Sequence, residues 1–256
     1  MYPTLPFDIF GFPISTFGIM VAAGFLAAGR VFAASLERKG SDADAGGILL
    51  WALVGGLLGA KLWCVAETWA RDPDRVLDVL FSRACLTWYG GFLGGMLAVL
   101  WTTQRQKLSL LTVTATASPA AAVGQALGRI GCFLVGDDYG APTDLPWGIA
   151  FPLGAPPIDV PVHPTMLYEA VWLTVIAVVL WKRQDRSPFL FGEYLVLAGI
   201  GRFANEIFRV NPELIAGLTN AQVTAIAQIV VGTAIWLRLN AKRTTGATTT
   251  PASARS

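Results

Sequence analysis

Between Ile14 and Leu239 the chain passes through seven apolar stretches, most of them joined by short polar loops. About 20 apolar residues in a helix cross the roughly 30 Å hydrocarbon core of a bilayer. Inside that core every backbone N–H and C=O must be paired within the protein, so a stretch of this kind is helical. The stretches fall at about Ile14–Ala34, Ala45–Glu67, Trp88–Thr103, Leu110–Phe133, Thr165–Trp181, Phe189–Phe208 and Ala221–Leu239. Charged residues make up 14% of the chain, against about 25% in soluble domains. The expected fold class is all-α, a polytopic membrane helical bundle of about seven transmembrane helices. Residues 1–243 form the seven-span domain, and 244–256, small and polar, form a disordered cytoplasmic tail.

Lysine and arginine set the orientation. With the N-terminus outside, 12 basic residues fall on inner segments (Arg30, Arg38, Lys39, Arg105, Lys107, Lys182, Arg183, Arg186, Arg238, Lys242, Arg243 and Arg255). Only 4 fall on outer ones: Arg71, Arg75, Arg83 and Arg209. The N-terminus is therefore expected outside and the C-terminus inside. No Lys or Arg precedes the first span from Met1 to Gly18, which argues against a cleaved signal peptide and for a retained span. The longest loop, 136–164, carries no Lys or Arg and is rich in Pro and Gly; connections of such length are usually functional or disordered.

Three cysteines, Cys64, Cys85 and Cys132, show neither CxxC spacing nor metal-site grammar, so neither a disulfide scaffold nor a structural metal is expected. Two glycine runs, Gly55-Gly56-Leu57-Leu58-Gly59-Ala60 and Gly90-Gly91-Phe92-Leu93-Gly94-Gly95, place small residues four apart. That spacing lets helix backbones approach closely in lipid; Gly90-Gly91 is also a candidate for close approach to a lipid headgroup.

Ionisable residues at the ends of spans are costly and face a cavity, a partner or a headgroup. They gather in three clusters. One is Arg129, Cys132, Asp137, Asp138 and Gly140, closing the fourth span. The second is His163-Pro164-Thr165-Met166-Leu167-Tyr168-Glu169, opening the fifth. The third is Arg202, Glu206 and Arg209, closing the sixth, at i, i+4 and i+7 on one helix face. The topology brings Arg129, His163, Glu169, Arg202 and Glu206 to one depth near the outer surface. Each also has a plain structural reading: Arg202 and Glu206 as a helix-end ion pair, His163 as a loop anchor, Cys132 as a small buried apolar residue, and the aspartates as a solvated turn.

At these clusters the sequence resembles the bacterial prolipoprotein diacylglyceryl transferase family. The family signature reads approximately Gly-Arg-x-Gly-Asn-Phe-x-Asn-x-Glu-x-x-Gly. Gly128, Arg129, Gly131, Phe133 and Gly140 match it, and Asp137 keeps the carboxylate at the glutamate position. His163-Pro164 with Leu167-Tyr168-Glu169, and Arg202-Phe203 with Glu206 and Arg209, match two further family motifs. The resemblance extends from about Phe12 to about Trp236. Three replacements mark the chain as a divergent member: Tyr89 before Gly90-Gly91 where the family has histidine, Phe17 for a first-span tyrosine, and Cys132 for asparagine.

The resemblance implies transfer of a diacylglyceryl group from phosphatidylglycerol to the thiol of a lipoprotein-precursor cysteine, the lipobox cysteine at its signal peptide. It implies membrane lipids as surroundings, no nucleic-acid partner, no cofactor and no metal. The location implied is the bacterial cytoplasmic (inner) membrane, with the active site towards the outer face. Arg129 is expected to grip the phosphodiester, with Asp137, Gly140, Cys132, Gly90, Gly91, Tyr168 and Glu169 around the substrate. Arg202, Glu206, Tyr89 and His163 are the candidate catalytic residues. For the base that generates the thiolate, His163, Tyr89 and Glu206 remain open. Transfer of another lipid, or phospholipid binding without catalysis, are the alternatives.

Overall fold

The computed structural model describes residues 4–9, 12–82, 85–185, 187 and 189–247. Residues 248–256 of the expected tail, including Arg255, lie outside them, as do Arg83 and Arg186. A short hairpin, β1 (Thr4–Ile9) and β2 (Phe12–Ser15), leads into α1 (Thr16–Arg38), α2 (Ala45–Arg71) and a brief α3 (Val76–Phe81). Then come α4 (Trp88–Arg105) and α5 (Leu110–Val135), a hairpin of β3 (Ile149–Phe151) and β4 (Ile158–Val162), and α6 (Thr165–Arg183). The chain continues through α7 (Leu190–Glu206), a hairpin of β5 (Glu213–Ile215) and β6 (Leu218–Thr219), and α8 (Asn220–Ala247).

A helix stands over each of the seven apolar stretches, and the architecture is that of a polytopic helical membrane protein. Five helices are long and apolar enough to cross a bilayer: α1, α2, α5, α6 and the Asn220–Ala241 part of α8. α4 and α7 fall outside that measure. α4, 18 residues long, ends in polar Thr-Thr-Gln-Arg, and α7 has only 17 residues, with Glu193, Arg202 and Glu206 among them. Several helices run past the apolar edges read from sequence, α2 to Arg71 and α5 to Val135. Helical hydrogen bonding continues where apolarity stops, because capping groups and not the bilayer edge end a helix. At the other end of α2, Asp44 accepts from the Gly47 N–H at 2.8 Å, an N-terminal cap.

The chain divides into two compact units, one of residues 1–32 and 114–256, the other of residues 33–113. In the second unit α2 crosses α4 at the paired glycine runs. A Cβ on Gly90 would strike the Gly59 carbonyl and the Trp63 Cβ, and one on Gly94 would strike the Gly55 carbonyl. The sequence spacing thus does the helix–helix work expected of it in lipid. Trp51 and Trp101 meet edge to face, with centroids 5.2 Å apart. Cys64 and Cys85 form a disulfide, contrary to the sequence expectation. Cys64 lies on α2 and Cys85 in the chain before α4, 21 residues on, a pairing that no local spacing rule reveals.

The first unit holds the core that supports the site. Ala115, Ala122 and Ala126 of α5 pack with Leu173, Ile176, Ala177 and Leu180 of α6 and with Leu190 and Tyr194 of α7. Small residues on α5 bring large ones on α6 and α7 close. Gln125 Nε2 donates to the Tyr194 hydroxyl at 2.6 Å, and Trp172 Nε1 to the Leu197 carbonyl at 2.9 Å, so the polar groups within this core are paired.

A ring of alternating charges as candidate active site

The three sequence clusters meet in the first unit. The segment after α5 turns sharply. The Gly136 N–H donates to the Cys132 carbonyl at 2.8 Å, and Gly136 and Asp138 adopt left-handed backbones at φ 76° and 60°. Gly140 then threads between the other two motifs. Its N–H donates to the His163 carbonyl at 2.9 Å, and the next N–H, of Ala141, to the Phe208 carbonyl at 2.8 Å. A Cβ at 140 would run into the Phe208 carbonyl, Thr165 Cγ2 and His163 Cβ, so only glycine fits there.

Six charged side chains then close into a ring. Arg129 Nη1 lies 2.8 Å from Asp138 Oδ2, and its Nε 3.0 Å from Glu169 Oε2. Arg202 spans Glu169 Oε2 at 3.8 Å and Glu206 Oε2 at 3.2 Å. Arg209 lies 3.7 Å from Glu206 Oε2 and returns to Asp138 Oδ1 at 2.8 Å. The order Asp138, Arg129, Glu169, Arg202, Glu206, Arg209 alternates sign throughout. Glu206 is fully buried, and its other oxygen accepts from Asn211 at 2.6 Å and Thr219 at 2.8 Å. Arg202 Nη1 is buried and makes no hydrogen bond among the described residues; it faces Glu169 Oε2 at ion-pair distance, 3.8 Å.

Beside the ring lies a cavity of about 440 Å³, lined in part by Trp147, His163, Tyr168, Glu169, Asn205 and Phe208. Trp147 Nε1 donates to the Tyr168 hydroxyl at 2.8 Å, and that hydroxyl stands 3.2 Å from His163 Nδ1. The His163 ring also tilts against Phe208, with centroids 5.0 Å apart.

The sequence-predicted residues Arg129, Glu169, Arg202, Glu206, His163, Tyr168 and Gly140 are brought together here. Asp137 is not in the ring. It sits beside Cys132, with Oδ1 buried and without a hydrogen-bond partner. Burial pushes its carboxyl above the ordinary range despite the Cys132 thiol and the positive charges of Arg129 and Arg209. Asp138 has the opposite balance. Burial opposes its charge, but Arg209 first and then Arg129 outweigh it and hold the carboxyl below the ordinary range. Cys132, Asp137 and Asp138 hold possible ligand atoms within 4.8 Å of one another. Both Asp138 oxygens face guanidinium groups, which disfavours a cation there.

Tyr89, Gly90 and Gly91 belong to the second unit. Tyr89 is exposed, Gly90 is buried against α2, and Gly91 lies in ordinary contact with Ala60 and Gly56.

Sequence reasoning gave the loop carboxylate's role to Asp137 alone, and the arginine contacts belong to its neighbour. Nothing in the spacing separates two adjacent aspartates; in the structure the second, with a left-handed backbone, is the one whose oxygens meet Arg129 and Arg209. Asn211 and Trp147 are further contributors without a sequence signal beyond their nearness to the motifs.

The family model described as prolipoprotein diacylglyceryl transferase matches residues 4–238. The chain belongs to this family. Relatives named phosphatidylglycerol–prolipoprotein diacylglyceryl transferase bear the likeness along most of their length. The one from Clostridium tetani is 30% identical over 241 residues, 91% of this chain and 95% of the relative. That from Gloeobacter violaceus is 32% identical over 238 residues, 88% of each. That from Pseudomonas putida is 34% identical over 203 residues, 75% of each. The charged ring unites residues of the three sequence clusters: the one closing α5, the His-Pro run opening α6 and the Arg-Phe run closing α7.

Proposed function

We infer that this chain transfers a diacylglyceryl group from phosphatidylglycerol to the thiol of a lipoprotein-precursor cysteine. The observation carrying this reading is the gathering of Arg129, Arg202 and Arg209 at one site in a chain matched by the family model over residues 4–238. In the reaction the thiolate sulfur attacks a glycerol carbon of the donor. The C–O bond to phosphate breaks, and glycerol phosphate leaves with the electron pair. The thiol proton passes to a base.

Arg129 would hold the phosphodiester through its planar fork. Arg202, whose Nη1 makes no hydrogen bond and lies 3.8 Å from Glu169, would meet the charge that builds on the departing phosphate. Glu206, with both oxygens engaged, suits orientation of Arg202 and Arg209 better than proton transfer. His163 and Glu169 line the cavity, and the acceptor for the thiol proton is sought there.

The reading further places the protein in a bacterial inner membrane, N-terminus outside, with the ring towards the outer face. The lipobox cysteine of a signal peptide is the acceptor. Its support is the inner excess of Lys and Arg and the helices over seven apolar stretches. A second reading, phospholipid binding without transfer, draws on Tyr89 and Cys132, which stand where the family has histidine and asparagine.

Complementation decides between them. A strain depleted of its own transferase receives this chain, and lipidation of a lipobox precursor is followed. Lipidation is expected, with Arg129→Gln reducing it by about 10²–10³-fold in turnover. Phosphatidylglycerol binding with no lipidation would establish the second reading.

A further inference from the structure

Each guanidinium of the ring already faces two carboxylates. A phosphodiester added to the intact ring would bring a surplus negative charge into a partly buried site. It enters at lower cost by replacing a carboxylate.

The three carboxylates differ in how readily they leave. The Glu206 side chain is 0% exposed and held from four sides. Glu169, 11% exposed, is fixed on α6 and touches Arg129, Arg202 and Asn205. Asp138 is 41% exposed, lies on a loop, and has a left-handed backbone at φ 60°. Its two oxygens lie between Arg129 and Arg209, one on each guanidinium at 2.8 Å. Two non-bridging oxygens of a phosphodiester can make the same bridge. Its backbone is tied down separately: the carbonyl accepts from Thr165 Oγ1 at 2.6 Å and from Arg209 Nη1 at 2.7 Å. The carboxylate can therefore swing out while the loop stays.

We propose that Asp138 is an internal stand-in for the donor phosphate, bridging Arg129 and Arg209 until the phosphodiester of an anionic glycerophospholipid displaces it. Asp138 is thus the residue that sets donor affinity. The inference rests on the reading of Arg129 as the phosphate grip. In the family signature the position of Asp138 is an unspecified one.

The test uses the full chain in mixed micelles, with phosphatidylglycerol as donor and glycerol 1-phosphate as inhibitor. Wild type is compared with Asp138→Asn and Asp138→Gly, both suited to a left-handed backbone, and with Asp138→Glu, which keeps the charge. The two neutral variants are expected to lower the half-saturating phosphatidylglycerol concentration and the glycerol 1-phosphate inhibition constant about tenfold, the worth of removing one charge-assisted competitor. Asp138→Glu, which keeps a competing carboxylate, is expected to show no such gain in affinity. Unchanged or weaker binding in both neutral variants, or failure of both to fold, overturns the proposal, because the carboxylate then supports the site and does not compete for it. If wild type neither binds nor transfers, the reading of Arg129 fails first. If wild type transfers and the neutral variants gain nothing, only the stand-in is lost.

Discussion

Glu206 Oε2 lies 3.2 Å from Arg202 Nη2, one helical turn back on α7, with the Glu206 side chain wholly out of solvent. The same oxygen lies 3.7 Å from Arg209 Nε. Removing the charge of Glu206 leaves two partly covered guanidinium groups each with one carboxylate in place of two. Loss of one partner from a buried pair costs about 3–5 kcal/mol. Glu206→Gln is therefore expected to lower the thermal midpoint in detergent and to reduce transfer. An unchanged midpoint would show that the ring does not stabilise this end of α7.

Gly140→Ala should act through geometry alone. The added methyl meets the Phe208 carbonyl and the Thr165 and His163 side chains. Overpacking of this kind costs about 1–3 kcal/mol. The expected result is faster proteolysis in the 136–164 segment together with reduced transfer, since the same contact ties the three motifs together. Wild-type protection in the variant would mean that the loop is positioned by something else.

Much of this was legible before any coordinates. The apolar stretches marked where helices form, because lipid admits no other backbone arrangement for them. Arg129, His163, Glu169, Arg202 and Glu206 stood out because ionisable groups at span ends need partners. Asp138 was in the first cluster but was not separable from Asp137 as the arginine partner, since two adjacent aspartates share the same chemistry. The hairpins of β3–β4 and β5–β6 did not stand out; they are short and lie within stretches read as loops. The Cys64–Cys85 pairing depends on how the segment after α2 folds back, and cysteine spacing says nothing about that.

Asp137 offers a pH test. Its folded-state carboxyl lies above the ordinary value of 3.8, so its ionised form at neutral pH disfavours the folded state. That cost disappears as pH falls through the raised value. Asp137→Asn removes the cost at every pH. The variant should therefore melt higher than wild type at neutral pH, with the gap closing as pH falls towards the carboxylate range. A gap of constant size in a pH series of melting curves would contradict the assignment.

Thiol chemistry provides a separate check. Cys64 and Cys85 are paired and Cys132 is free. Unfolded, unreduced protein prepared from its native membrane should bind one equivalent of a thiol reagent, and three after reduction. Replacing both Cys64 and Cys85 by serine should destabilise the second unit by roughly 3 kcal/mol, as expected for closing a loop of this order. Three reactive thiols before reduction would remove the bridge.

Three positive and three negative groups cancel within the ring. Its field therefore fades within a few ångströms, and nothing in it draws anions from a distance. A donor carried in the bilayer arrives by lateral diffusion and is recognised only on contact. Raising the ionic strength should consequently change the rate of capture little, unlike enzymes that steer charged substrates through water.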